Sequence, residues 1–481
     1  MGSSRRRPEQ ASGDHTGRPI VAIVGRPNVG KSALFNRLTR SRLAIVEDVP
    51  GVTRDRLYGD GHAFGKDYVL IDTGGFDPDS DDPMTQSIAD QIEVALSEAD
   101  AVICVFDGTL DPLPSDREAV RLLRESELPV IFAANKIDNP DRSLGAKELY
   151  ALGIDRLHEI SALHGHGIGD LEETLNQVLP QAAAPDEDDE DATTEGQDDS
   201  APEGGKRPRP PRIAIVGRPN AGKSSLVNRL LGEQRQIVDN RPGTTVDSVD
   251  TLYEDEAGPL VLIDTAGIRR KRAVKRGIEG LAVVQAVRAV ERSDAIILMI
   301  DAEHGASEQD TKIASLALER GRAVVIALNK MDLLKGEARD TAVDKARDVF
   351  SFMPWASIRR VSAQSGRGVR GLIAAARQVT VNHSKRVTTG EVNRFFDEVL
   401  AHHPPPTSGG RAVRLYFATQ ARTRPPTFMI STNYPDRVHF SYKRYVINQL
   451  RERFGFDGTP VRVHYRGKDA KTRGPRKGKR G

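Results

Sequence analysis

The sequence predicts two tandem α/β domains, each a mostly parallel sheet with flanking helices, followed by a small α+β domain. Three observations carry that prediction. Short apolar runs alternate with longer amphipathic segments from Pro19 onward, the pattern of strands and helices in a parallel sheet. A motif set recurs at a nearly constant offset. The alternation then stops near His383 and a different pattern begins.

The repeat is visible as distance along the chain. Gly25-Arg26-Pro27-Asn28-Val29-Gly30-Lys31-Ser32 returns as Gly217-Arg218-Pro219-Asn220-Ala221-Gly222-Lys223-Ser224, 192 residues later. Thr53/Thr245 and Asp72/Asp264 keep the same offset, Asn135/Asn329 are 194 apart, and Ser161/Ser362 are 201 apart. Five separated motifs so spaced indicate duplication of a whole domain. At 481 residues the chain has room for about three domains, each with its own core.

In order, residues 1–17 are Arg-rich and without periodicity, and are expected to be a disordered leader. A first domain spans 18–181, with strand-like runs at Ile20–Val24, Tyr68–Ile71, Ala101–Phe106 and Val130–Ala134. Residues 182–210 are acidic and rich in Pro and Gly, a flexible linker. The alternation restarts in a second domain over 211–382. Over 383–467, Thr388-Thr389-Gly390-Glu391 predicts a capping box ahead of a helix carrying Val392, Phe395, Phe396 and Val399. Strands are expected at Ala412–Ala418, Thr427–Ser431 and Val461–Tyr465. A helix is expected over Ser441–Phe454, ending at Gly455. Residues 468–481 form a basic tail, read as disordered.

The net charge of +2 hides the contrast between the acidic run Asp186–Asp191 and that tail, so only the segments speak about partners. A lone cysteine, Cys104, lies in an apolar run and is expected to be a buried core thiol. Apolar stretches such as Ala295–Ile300 are far too short to span a bilayer, and no signal-peptide core opens the chain. The expectation is a soluble cytoplasmic protein without a membrane span.

Each recurring motif has a chemical reading. The G-x-x-x-x-G-K-S loop lets backbone amides and a helix N-terminus wrap a phosphate. Lys31 and Lys223 then neutralise β/γ charge, and the hydroxyls of Ser32 and Ser224 ligate Mg²⁺. Asp72-Thr73-Gly74-Gly75 and Asp264-Thr265-Ala266-Gly267 each close an apolar run. There the aspartate can hold the metal through water and the amide of Gly75 or Gly267 can sense the γ-phosphate. Thr53 and Thr245 sit where a mobile loop adds a hydroxyl to the metal, with Thr244 the alternative in the second copy.

Asn135-Lys136-Ile137-Asp138 and Asn329-Lys330-Met331-Asp332 select the base. A carboxylate accepting two donors suits guanine N1–H and its amine, which adenine lacks. Ser161-Ala162 and Ser362-Ala363 supply an amide for the guanine carbonyl. Together these point to two GTP/GDP sites with catalytic or sensing roles for Lys31, Thr53, Gly75, Lys223, Thr245 and Gly267. The water-orienting glutamine of many GTPases is replaced by Phe76 and Ile268, which cannot hold a water, so intrinsic hydrolysis is expected to be slow.

On these residues, and on His439-Phe-Ser-Tyr-Lys-Arg-Tyr445 and Arg451–Pro460, the chain resembles the EngA/Der family of bacterial tandem GTPases over nearly its whole length. The resemblance implies two P-loop GTPase domains and a C-terminal KH-like module contacting RNA. It also implies GTP hydrolysis stimulated by K⁺, with Asn28 and Asn220 as the matching ligands. It implies assembly or maturation of the large ribosomal subunit with that subunit and its rRNA as partners, and no DNA. We expect a monomer in solution. The basic tail supports phosphate attraction without base specificity. Gly455-Phe-Asp-Gly458 spells a GxxG but lies between a helix and a strand, so it reads as a helix cap and turn rather than an RNA clamp.

The alternatives are a tRNA-modification-type GTPase, which needs a modification domain with a reactive C-terminal cysteine absent here, and a non-ribosomal RNA-binding GTP switch. A membrane-remodelling GTPase lacks an anchor, and a non-hydrolysing scaffold would require defective motifs.

Overall fold

A computed structural model describes residues 17–39, 58–73, 88–138, 143–180, 209–232, 250–265, 279–407 and 411–467. The leader up to residue 16, linker residues 182–208, the tail from 468, and Thr53, Gly74, Gly75, Phe76, Thr245, Ala266, Gly267 and Ile268 lie outside them. The described residues form two compact units. Residues 17–180, 250–251, 264–265 and 279–292 make the first, and 209–232, 252–263 and 293–467 the second.

The first unit is built on a six-stranded sheet. Strand β1 (Ile20–Val24) leads through the glycine loop to α1 (Lys31–Thr39), and β2 (Tyr58–Ala63) and β3 (Lys66–Asp72) form a hairpin. Then come α2 (Ile88–Glu98), β4 (Ala101–Asp107), α3 (Pro114–Arg124), β5 (Val130–Asn135), α4 (Ser143–Tyr150), β6 (Leu157–Glu159) and α5 (Ile168–Val178). The sheet order is β2-β3-β1-β4-β5-β6, parallel except for β2. Every residue of β1 and β4 is buried, Cys104 included, as expected for parallel strands covered on both faces. Helix α1 turns Leu34, Phe35 and Leu38 into the core with Val21, Ile23, Ile103 and Val105. The edge strand β2 (YGDGHA) carries little apolar signal; it pairs because the turn at Phe64 and Gly65, both at positive φ, folds it back on β3.

A second sheet repeats this plan. Its elements are β7 (Arg212–Val216), α6 (Lys223–Gly232), β8 (Thr251–Asp255), β9 (Gly258–Ile263), α7 (Glu279–Arg292) and β10 (Ala295–Asp301). They continue with α8 (Glu308–Glu319), β11 (Ala323–Asn329), α9 (Ala338–Val349), β12 (Ser357–Arg360) and α10 (Val369–Ser384). The order β12-β11-β10-β7-β9-β8 mirrors the first sheet. Helix α7 groups with the first compact unit rather than with this sheet.

The C-terminal module lies in the second unit. Helix α11 (Thr389–His402) starts at a capping box: Thr388 Oγ1 accepts the Glu391 N–H at 3.3 Å and Glu391 Oε2 accepts the Thr388 N–H at 3.1 Å. Strands β13 (Leu415–Arg422), β14 (Thr427–Thr432) and β15 (Arg462–Gly467) form one sheet, β13-β14 antiparallel and β14-β15 parallel. Helix α12 (Phe440–Phe454) ends at Gly455 in the left-handed conformation, φ 68°. Phe395, Phe396, Val446, Leu450, Phe428 and Ile430 fill its core. The first strand starts later than the expected Ala412. The Asn433 side chain engages that segment, accepting the Arg414 N–H (2.8 Å) and donating to Ala412 O (2.9 Å), and so takes the place of a ladder partner.

Candidate functional site

In the first unit, the C-terminal ends of β1, β3, β4 and β5 bring the motifs to one edge of the sheet, where ligands bind in open α/β folds. Gly25 follows β1, and Lys31 and Ser32 open α1. The Lys31 ammonium donates to Gly25 O (2.7 Å) and Arg26 O (3.0 Å). Burial lowers its pKa, and neighbouring Asp72 opposes that shift. Ser32 Oγ donates to Asp72 Oδ2 at 2.9 Å, so a hydroxyl and a carboxylate oxygen converge below the loop. Hard oxygen donors of this kind suit Mg²⁺. Thr73 Oγ1 is turned away, donating to Ile23 O at 2.6 Å.

Asn135 joins the two ends of the site. Its Nδ2 donates to Val29 O (2.9 Å) and its Oδ1 accepts the Ala162 N–H (2.9 Å), tying phosphate loop, base motif and serine loop together. A Cβ on Gly30, at φ 95°, would overlap that amide, which explains the glycine. Asp138 Oδ1 accepts from Ser161 Oγ at 2.8 Å, so the expected guanine-reading carboxylate is oriented by the expected serine. Ile137 is buried, and its N–H donates to Ile160 O (3.1 Å).

The second unit repeats this geometry. Lys223 Nζ donates to Gly217 O (2.5 Å) and Arg218 O (2.6 Å). Asn329 Nδ2 donates to Ala221 O (2.8 Å) and Oδ1 accepts the Ala363 N–H (2.9 Å). Gly222 needs its missing Cβ for the same reason as Gly30. Met331 is buried and Asp332 exposed, while Ser362 Oγ accepts the Ser365 N–H (3.1 Å). Asp264 and Thr265 of the second motif set group with the first compact unit; Asp264 stands at φ 57° with its N–H on Asp250 Oδ1 (3.0 Å), and Thr265 is buried. Asn28 and Asn220 occupy left-handed backbone, φ 66° and 65°, a conformation asparagine tolerates better than most side chains. Pro27 and Pro219 precede them.

Four aspartates missing from the sequence reading complete the sites. Asp107, at the end of β4, accepts the Lys136 ammonium at 2.7 Å, and Asp301, at the end of β10, accepts that of Lys330 at 2.6 Å. Burial opposes ionisation of both. The lysine and local donors (Thr109 in the first copy, the Glu303 N–H and His304 in the second) still hold each carboxyl below its ordinary value. Asp116 and Asp310, buried in the first turns of α3 and α8, pair with Arg26 (3.4 Å) and Arg218 (3.0 Å) and so anchor the phosphate loop. The aspartates recur at the 194-residue offset of Asn135 and Asn329, and that spacing was the available signal.

Similarity to known proteins matches this geometry. The family described as "50S ribosome-binding GTPase" matches residues 20–136 and 212–330, and "KH-domain-like of EngA bacterial GTPase enzymes, C-terminal" matches 386–466. GTPase Der of Geobacter metallireducens is 46% identical over 456 residues, covering 94% of this chain and 99% of that protein. GTPase Der of Thermomicrobium roseum is 44% identical over 473 residues, covering 96% and 99%. That of Symbiobacterium thermophilum is 44% identical over 462 residues, covering 95% and 94%. Among the described residues no helix is long and apolar enough to cross a membrane. With two guanine-nucleotide motif sets followed along the chain by a KH-like module, the chain belongs to the GTPase Der family of GTP-hydrolysing P-loop enzymes.

Proposed function

We propose that this chain is a factor for assembly and maturation of the large ribosomal subunit, that it binds the subunit and its rRNA, and that GTP state controls the association. What supports the reading is that two matches to a ribosome-binding GTPase family and one match to a KH-like domain lie in the same chain. Each site takes Mg·GTP. Lys31 and Lys223 leave the loop carbonyls for the β- and γ-phosphates, a short swing because both ammonium groups already lie inside the loop. Ser32 with Asp72 in the first motif set, and Ser224 with Asp264 in the second, would hold Mg²⁺, which would neutralise phosphate charge; Thr53 and Thr245 would join them. The amides of Gly75 and Gly267 sense the γ-phosphate. Asp138 and Asp332 read the guanine edge, and the Ala162 and Ala363 amides the carbonyl.

Asn28 and Asn220 would hold K⁺ through their carbonyl oxygens, and the ion would supply positive charge of the kind that the glutamine replaced by Phe76 and Ile268 cannot help to organise. Replacing K⁺ by Na⁺ is expected to slow GTP hydrolysis at least tenfold, about 1.4 kcal/mol of barrier. Asn28→Ala with Asn220→Ala is expected to abolish the difference; equal rates in both salts would count against this role.

The test of the whole reading is co-sedimentation with large subunits in the presence of a non-hydrolysable GTP analogue or GDP, using wild type, Lys31→Ala and Lys223→Ala. Binding with the analogue, weakened with GDP and in the variants, is expected. Absence of subunit binding in every state would overturn it.

A further inference from the structure

The GxxG of the C-terminal module is sealed against the second GTPase sheet. The Gly458 N–H donates to Trp355 O (3.1 Å), Gly458 O accepts the Val324 N–H (2.8 Å), and Asp457 O accepts from Asn382 Nδ2 (2.8 Å). Phe456 is fully buried. A loop so engaged cannot clamp an RNA backbone, and the surface free to meet RNA must lie elsewhere.

The three-stranded sheet offers one. Helix α11 packs against β13, and Ala418, Phe428 and Ile430 point into the core. The alternate residues face the other way. Register places Phe417, Ser431 and Arg466 in one row, Thr419, Met429 and His464 in the next, and Arg422, Thr427 and Arg462 in a third. Phe417 is 52% exposed, and Arg422, His464 and Arg466 are exposed; Arg462 is exposed in part, its Nη2 donating to Glu319 O (2.5 Å). The strands LYFATQAR, TFMIST and RVHYRG contain no acidic residue. Burial lowers the pKa of Arg462 and of His464. Positive neighbours add to both shifts: Arg322, Arg320 and Arg422 around Arg462, and Arg462 and Arg422 around His464.

We propose that this open sheet face binds single-stranded RNA, stacking unpaired bases on Phe417 and His464 and holding phosphate with Arg466. The choice of RNA rests on the ribosomal reading above; the face and the single-stranded form come from the geometry. Phe417 and His464 are two strands and one row apart, about 12 Å from strand and residue spacings. Bases stacked in a duplex rise about 3.4 Å, so only splayed bases reach both rings. Aromatic side chains on an open sheet are a known platform for such bases.

The test is anisotropy with the full-length protein and a short fluorescein-labelled oligouridylate, beside a duplex RNA of equal length. Binding should favour the single strand. Phe417→Ala should weaken it about tenfold, as expected from roughly 1–3 kcal/mol per stacked base, and Phe417→Trp should restore it. Phe440→Ala, at an exposed aromatic outside the sheet, should change nothing. Wild-type affinity in both Phe417→Ala and His464→Ala, or equal affinity for duplex, would overturn the proposal while large-subunit co-sedimentation left the ribosomal reading standing. Loss of co-sedimentation in Phe417→Ala with oligonucleotide affinity intact would assign the face to a ribosomal protein and overturn it too.

Discussion

Asp107 and Asp301 each end a fully buried strand and each receives the ammonium of the base-motif lysine. Those lysines stand at φ 71° and 63°, backbone that an ordinary side chain avoids. The aspartate therefore holds a strained residue in place. Asp107→Ala or Asp301→Ala removes a charge-assisted hydrogen bond worth roughly 1.5–3 kcal/mol. GDP affinity at the altered site is expected to fall about tenfold or more, measured by titration with a fluorescent GDP. An unchanged dissociation constant would show that the lysine needs no such support. The sequence made the lysines conspicuous because their motif is local. The aspartates stayed hidden because they lie 29 residues earlier, and only the sheet makes them neighbours.

At the scale of elements, helix α10 carries a buried histidine whose protonation is coupled to folding. His383 is 1% exposed and its Nδ1 lies 2.7 Å from Thr459 Oγ1. Burial pushes its pKa down to about 3; Asp294 opposes the shift, while Arg322, Arg424 and Arg462 reinforce it. In the unfolded chain the ring takes a proton below pH about 6.5. Between that pH and 3 the unfolded state binds more protons, so stability present above 6.5 is lost as pH falls, by up to about 1.4 kcal/mol per unit. Calorimetry at pH 7 and pH 5 should show the melting temperature dropping, and His383→Gln should flatten the drop. An equal drop in the variant would remove His383 as the cause. The capping box at Thr388 and the Gly455 terminus were readable because caps are short-range chemistry. The late start of β13 was not, because it depends on Asn433, 19 residues beyond Arg414.

In the second unit, the KH-like module and the second GTPase sheet share a junction at Gly458, φ 73°, whose Cβ would overlap Val379. Arg451 lies over the Trp355 ring (5.6 Å) in the same junction. Burial lowers its pKa to about 10, and Asp457 opposes the shift. Gly458→Ala adds left-handed strain of roughly 1–2 kcal/mol to that overlap. With about 2–4 °C lost per kcal/mol in a body of this size, a fall of about 5 °C or more in the unit's melting temperature is expected. Unchanged melting would mean that the junction yields freely. The strands β11 and β12 and helix α10 that meet the module, or continue from those that do, also carry Asn329 and the loop of Ser362. Asn329, the Ser362 loop and the KH-like module are thus parts of one packed body.

The linear order of residues by itself determined the duplication, the two guanine motif sets, the substitution of Phe76 and Ile268, and the α/β then α+β succession. Those depend on spacing, periodicity and local chemistry, all of which survive in one dimension. Only tertiary structure decided which aspartates hold the base-motif lysines and the loop arginines, that the GxxG is closed against Trp355 and Val324, and that Phe417, His464 and three arginines share an open face. Each of those joins residues far apart in the chain, brought within reach by the sheets and by the helices packed against them.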